Sequence, residues 1–175
     1  MSALQLRKLA ALGVPEQLPS RWITRARPKI DRIAVPWLVR RFIDSSAQFF
    51  YVAPAQVFDE AKRLNAVAYD IPGAPISHEG ELCSFDSVLR AFDLQEPGLV
   101  ALARIVRGAD TDRLDLAPQS AGLLAVSLGL SWLHADDHAM LEAAMPVYDA
   151  LHAWCRSVQD EPHSWNAKLM KAPTQ

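Results

Sequence analysis

Five side chains of types that bind metal ions stand out in the sequence. His78 and Cys83 share one loop (PISHEGELCSFD), and His138 follows two aspartates at the start of the last predicted helix. Asp110 and Asp112 lie two residues apart in an inter-helix loop, so both carboxylates can turn towards one cation. His78, His138 and a carboxylate such as Asp110 would form an N/N/O set suited to zinc, iron or nickel. Cys83 is a further candidate ligand or redox thiol.

Each of these residues also has an ordinary structural role, and the sequence leaves that alternative open. A single histidine is often hydrogen-bonded within a fold, a free cysteine is often a small buried hydrophobe, and Asp-rich turns cap helices. A helix N-terminus disfavours imidazolium, so His138 is expected to stay neutral. Catalytic residues are not assigned. If the protein is a metal-dependent enzyme, Asp112 or Glu81 is the candidate general base.

A second cluster is basic and lies mainly between residues 21 and 41. Arg27, Lys29 and Arg32, together with Arg107, are the candidate anion-binding residues. Arg32 lies near a predicted helix N-terminus, and guanidinium groups offer paired donors to tetrahedral oxyanions. The alternative is a solvated helix face that pairs with the acidic second half of the chain.

The charge of the 175-residue chain is distributed unevenly. Residues 1–65 carry 11 Lys and Arg against 5 Asp and Glu, whereas residues 66–175 carry 7 against 15, and the net charge is −2. That balance argues against a nucleic-acid partner, which needs a basic surface, and favours a small inorganic cation or oxyanion. Two cysteines are too few for a disulfide framework. With no signal peptide and no apolar segment of roughly 20 residues, we expect a cytoplasmic protein without membrane contact.

Hydrophobic periodicity and turn residues predict the elements that position these side chains. Strands are expected at residues 22–24, 48–52 and 66–71. Helices are expected to begin at Asp31 (or one turn later because of Pro36), Pro54, Ser84 or Asp86, Pro97, Pro118, and Asp136 or Asp137. Gly108 is expected to end the helix that starts at Pro97. The prediction is a helix-dominated single domain, α/β or α+β, with a small sheet near the N-terminal half. It would cover residues 21–158, between an N-terminal helix and linker (1–20) and a C-terminal tail (159–175).

Short catalytic motifs such as a Gly-rich phosphate loop, G-x-S-x-G, C-x-x-C and H-E-x-x-H are absent from the sequence. Four longer segments, in order, are informative instead: RWITRARPKIDRIAVPWLVRRFID, DIPGAPISHEGELCSFD, ARIVRGADTDRLDLAPQSAGLLAVSLGL and ADDHAMLEAAMPVYDALHAWCR.

These segments resemble the C-terminal domain of the chromate-resistance ChrB-type proteins, from about Arg21 to Arg156. The resemblance implies a bacterial cytoplasmic protein that acts in chromate resistance and the stress response, in some members as a chromate-responsive regulator. Longer members carry an N-terminal region linked to DNA binding, and only about twenty residues precede the shared domain here. This chain has Val35 where the family pattern has a cysteine before Pro-Trp. We therefore expect a metal- or oxyanion-binding protein, with a metal-dependent enzyme and a transcriptional regulator as the alternatives.

Overall fold

The fold is described from a computed structural model, over residues 3–14 and 18–159. Three parallel strands form a small sheet in the order β2-β1-β3: β1 is Arg21–Arg25, β2 is Gln48–Val52 and β3 is Val67–Ala68. Seven helices occur in these residues: α1 Ala3–Ala11, α2 Asp31–Phe42, α3 Val57–Leu64, α4 Ser84–Phe92, α5 Pro97–Asp110, α6 Ser120–Leu133 and α7 Asp137–Ser157. Helix therefore dominates an α+β domain with a small N-terminal sheet, as predicted.

The sheet is built by two successive β-α-β units. α2 connects β1 to β2 and α3 connects β2 to β3, and the strands pair in parallel, with Trp22 beside both Phe49 and Val67. The central strand β1 buries its three middle residues, including Thr24. Parallel strands are normally covered on both faces, which explains why three consecutive residues of β1 are buried rather than every second one.

The main hydrophobic core lies between the sheet and the helices α2, α4, α5 and α7. Trp37 is at its centre: its ring stacks on Phe85 at 6.4 Å, packs against Tyr148 at 6.1 Å, and its indole N–H donates to Asp149 at 2.8 Å. Burial of aromatic side chains contributes much of the stability of such a core. The core holds α2, α4 and α5 in a fixed arrangement, and these three helices carry the candidate site.

α2 begins at Asp31 although Pro36 is its sixth residue, so the alternative start one turn later is wrong. A proline in this position cannot donate to the carbonyl four residues earlier, which is that of Arg32. The freed carbonyl oxygen instead accepts a hydrogen bond of 3.1 Å from the hydroxyl of Tyr69, which follows β3. The tertiary contact thus satisfies the group that the sequence alone leaves unpaired.

The predicted end of α5 at Gly108 is also wrong, because the helix continues to Asp110. Gly108 is buried where α5 meets the start of α6. A Cβ atom at this position would overlap the hydroxyl of Ser120 and lie 2.9 Å from the carbonyl oxygen of Arg113. The glycine is required by close packing rather than by a helix stop. The extra two residues bring Asp110 to the C-terminal end of the helix.

No helix in the described parts of the chain combines the length and hydrophobicity needed to cross a membrane.

Candidate metal centre

Three aspartate carboxylates surround the imidazole of His78. Its Nε2 atom lies 3.0 Å from Oδ2 of Asp110, 3.4 Å from Oδ1 of Asp70 and 3.7 Å from Oδ2 of Asp31. The four residues come from the start of α2, the segment that follows β3, a loop, and the end of α5. The fold therefore brings together side chains that are far apart in sequence.

Asp31 is fully buried at the first position of α2. Its carboxylate accepts hydrogen bonds from the backbone N–H groups of Ser84 and Phe85, the first two residues of α4. These are orphan donors at a helix N-terminus, which attract a negative charge. The preceding residue, Ile30, has φ 26°, a strained value for a β-branched side chain, and its carbonyl accepts from the hydroxyl of Tyr148 at 3.0 Å. The strained turn is thus fixed by a buried hydrogen bond.

Asp70 comes shortly after β3, in a left-handed conformation with φ 50°. Its carboxylate accepts from the hydroxyl of Ser84 at 3.0 Å and pairs with Arg25 and Arg32, each at 3.2 Å. Two guanidinium groups therefore compensate this carboxylate. Ser84 connects the site internally, because its backbone contacts Asp31 while its side chain contacts Asp70.

Asp110 is the last residue of α5 and turns back towards α2. Its Oδ1 accepts from the backbone N–H of Asp31 at 3.3 Å, while its Oδ2 faces His78. Among the described residues, the ion pairs of Asp31 and Asp110 involve His78 alone, and no lysine or arginine pairs with either carboxylate.

The electrostatics of this cluster favour a bound cation. Burial, followed by repulsion from Asp110 and Asp70, raises the pKa of Asp31 well above its usual range. Burial and repulsion from Asp70 also raise the pKa of Asp110, although His78 and Arg32 act against this shift. Binding of a proton or of a metal ion would reduce the repulsion between these carboxylates.

The donor geometry fits a shared ion. Asp31, His78 and Asp110 each offer a ligand atom, and these atoms lie within 4.8 Å of one another. At metal–ligand distances of about 2.0–2.2 Å, two ligands of one ion stand about 3.0–3.5 Å apart. The distances of 3.0 and 3.7 Å from His78 to Asp110 and Asp31 are close to that range. One imidazole with two carboxylates is an N/O/O set that suits zinc, iron or nickel.

The other three predicted metal ligands are outside the group of residues that can share one ion. His138 packs edge-on against the ring of Tyr51 at 5.3 Å and lines a groove with Arg40 and Glu142, and it is not part of the group that can share one ion with His78. Cys83 is the buried residue that precedes α4, and burial raises the pKa of its thiol, which disfavours the thiolate that binds metals. Asp112 is exposed, with φ 57°, and is also outside the group.

The four predicted anion-binding residues do not share one surface. Arg32 joins the site through Asp70, whereas Arg107 forms a two-pronged ion pair with Asp86 at 3.0 Å. The guanidinium of Arg27 donates to carbonyl groups at the end of α6, including that of His134 at 2.9 Å. Lys29 is exposed beside Trp132.

Sequence reasoning missed Asp31 and Asp70 as members of the site. The sequence predicts Asp31 at the start of a helix and Asp70 within the strand 66–71, and an aspartate at a helix start is most often a local cap. A usable signal was the position of Asp70 near the end of the predicted strand 66–71, because functional groups collect at the carboxyl ends of parallel strands.

The fold and site define a helix-rich α+β domain with a partly buried carboxylate–imidazole centre beside the end of a parallel sheet. Residues 22–155 match the family model described as ChrB, C-terminal domain, and the chain belongs to this family. Protein ChrB of Cupriavidus metallidurans is 32% identical over 140 residues, which are 79% of this chain and 42% of that protein. The chain thus spans less than half the length of this curated relative. No solved structure matches the chain.

Proposed function

We propose that this protein is a metal-binding domain that acts in chromate resistance. Membership of the ChrB family supports the link to chromate, and the arrangement of Asp31, His78 and Asp110 supports the binding of a cation. The observation that carries the proposal is the imidazole of His78 within 3.0–3.7 Å of three carboxylates, two of which have no basic partner among the described residues other than His78.

A cation fits this centre better than chromate itself. Chromate is an anion at neutral pH, and the uncompensated carboxylates of Asp31 and Asp110 would repel it. Arg25 and Arg32, which lie nearest, are already paired with Asp70. Oxygen-rich ligand sets favour hard cations, so a divalent metal or the trivalent ion formed when chromate is reduced fits the site.

The proposal is tested by metal analysis of protein purified without a His tag, with His78→Ala compared with His138→Ala. We expect about one ion per chain in the wild-type protein and in His138→Ala, and a loss of at least tenfold in affinity in His78→Ala. Equal metal content in the two variants would contradict the assignment. The link to chromate is tested separately, by the survival on chromate of bacteria that carry each variant: we expect His78→Ala, and not His138→Ala, to lose the protection.

A metal-dependent enzyme is the second candidate function. The side chain of His78 is 41% exposed, so an ion at this centre would face solvent and could hold a water molecule. Proton relaxation of water with Mn²⁺-loaded protein tests for that water. An enhanced relaxation supports an open coordination position, and unchanged relaxation argues for a closed binding site.

A further inference from the structure

The outer face of α6 is unusually apolar. The helix has no charged residue, and it turns three serines towards the protein: Ser120, Ser127 and Ser131 are buried. Leu123 also faces the core, but four large hydrophobic side chains, those of Val126, Leu128, Trp132 and Leu133, are exposed. Trp132 is 89% exposed and Leu133 is 75% exposed. An ordinary surface helix has charged or polar residues on its outer face, and an exposed apolar patch of this kind usually marks an interaction surface.

The outer face also has the spacing of a helix-pairing seam. Gly122, Ala125, Gly129 and Trp132 follow one another at intervals of three, four and three residues, which places them along one side of the helix. A Cβ atom at Gly122 or Gly129 would meet nothing within 4 Å. The small residues therefore leave an open track on which a second helix can approach closely.

We propose that α6 is a dimerisation helix whose partner is the α6 helix of a second copy of this chain. The face is complementary to itself, because bulky residues gather at its C-terminal end and small ones at its N-terminal end. Consider an antiparallel pair whose two-fold axis crosses the outer face at the height of residue 127 along the helix. Trp132 then lies opposite Gly122 of the second copy, and Ala125 lies opposite Gly129. An isologous contact of this kind uses the same surface on both copies, so assembly stops at the dimer.

One pair of charges agrees with the antiparallel direction. The groove beside Trp132 is lined by Arg27 and Lys29. In the turn before α6, Asp112 is exposed and has no ion pair among the described residues, whereas Asp115 is already paired with an arginine. Antiparallel pairing brings the two cations of one copy towards the end of the second copy that carries Asp112, which favours this direction over the parallel one.

The size of the face predicts a reversible dimer. A 14-residue helix is about 21 Å long, and a tryptophan buries roughly 150–250 Å². A stable interface buries about 800 Å² per partner, and one helix face provides only part of that area. The association is therefore expected to depend on protein concentration in the micromolar range.

Sedimentation velocity of the full chain over a series of concentrations tests the proposal, with Ala125→Glu as the disrupting variant. In the monomer, a glutamate at position 125 points into solvent and is tolerated. In the dimer, the glutamates of the two copies would place two carboxylates in the contact between the helices. Ala153→Glu, at an exposed position of α7, is the matched control. We expect the wild-type protein and Ala153→Glu to dimerise, and the dimerisation of Ala125→Glu to weaken at least tenfold. Monomers at every concentration, or equal association of the two variants, would overturn the proposal.

Disulfide cross-linking tests the direction of the pair, since both native cysteines are buried. A mixture of Ala125→Cys and Gly129→Cys proteins should cross-link between the two variants more readily than either variant does with itself. An excess of the 125–125 product would overturn the antiparallel arrangement. The wild-type protein could instead be a monomer in which a cysteine at position 125 is protected from thiol reagents. Another segment would then cover α6, and the dimer proposal would be overturned. Neither test depends on the metal centre.

Discussion

The Nε2 atom of His78 lies 3.0 Å from the carboxylate of Asp110, and that carboxylate also accepts from the backbone N–H of Asp31. This relationship ties a loop histidine to the last residue of α5 and the first residue of α2. Because Asp31 in turn accepts from the N-terminus of α4, the centre connects three helices. An ion bound at this centre would therefore stabilise the folded domain.

Asp110→Asn should separate metal binding from folding. In metal-free protein at neutral pH, the change removes a buried charge that Asp70 repels, and the amide oxygen can still accept from Asp31. We expect the melting temperature to rise by about 2–4 °C, which corresponds to about 1 kcal/mol in a domain of this size. The stabilisation that added metal gives the wild-type protein should disappear. Thermal melts with chelator and with Zn²⁺ measure both effects.

Asp112→Asn is the matched control for that change, since Asp112 lies two residues away but is exposed and outside the cluster. Its melting temperature should respond to metal as that of the wild-type protein does. A loss of the metal response in Asp112→Asn as large as that in Asp110→Asn would place the ion elsewhere.

Gly108→Ala should destabilise the protein by about 1–3 kcal/mol, because the new methyl group would overlap Ser120 and crowd the carbonyl of Arg113. Urea unfolding measures the change. Gly122→Ala in dilute protein is the control: the methyl group there points into open space, and the better helix propensity of alanine should keep the stability equal or raise it by up to about 1 kcal/mol. Equal losses in both variants would show that packing against α6 is not the reason for the glycine.

Tyr69→Phe should cost about 1 kcal/mol, because it removes the hydrogen bond to the carbonyl that Pro36 leaves without a helical donor. Pro36→Ala restores a backbone donor to that carbonyl, so Tyr69→Phe should cost less in the Pro36→Ala background. A double-mutant cycle by urea unfolding gives the coupling. Additive effects would mean that the hydroxyl and the proline act independently.

Asp149 should contribute to stability in a pH-dependent way. Its hydrogen bonds with Arg41, and a further one from Trp37, lower the pKa of the carboxyl below its ordinary value of 3.8, although burial opposes the shift. A lowered pKa means that the contribution is complete above pH 3.8 and is lost as the pH falls through the folded-state value. Asp149→Asn should therefore melt below the wild-type protein at neutral pH, and the difference should shrink below pH 3.8.

Thermal melts of both proteins across that pH range make the measurement, with Asp59→Asn at an exposed position of α3 as the control. The half-exposed Asp149–Arg41 pair is screened by solvent, so the effect is expected to be small. A constant difference between Asp149→Asn and the wild-type protein at all pH values would contradict the role of the charge.

The sequence predicted most of the elements because their signals are local. Asp136 caps α7 as expected, with its carboxylate 2.7 Å from the N–H of Ala139, and the aromatic and β-branched residues of β2 form a strand. The errors lie where tertiary contacts override local signals. Gly108 lies within α5 and leaves room for the start of α6, and Pro36 is accommodated because Tyr69 replaces the missing donor.

The site was predicted only in part for the same reason. His78 and Asp110 were recognised from residue type and loop position, and Arg32 from its place near a helix N-terminus. The packing of α2, α4 and α5 determines which loops lie close together, and no local sequence pattern predicts that packing. His138 was therefore paired with His78 on chemistry alone, whereas the fold places it beside Tyr51 and brings Asp31 close to His78 and Asp110 as a candidate ligand instead.

The most direct test of the metal centre is anomalous diffraction from crystals grown with the metal, recorded at its absorption edge. We expect one peak about 2.0–2.2 Å from Nε2 of His78 and from carboxylate oxygens of Asp31 and Asp110. A peak at Cys83 or beside His138, or no peak at His78, would contradict this expectation.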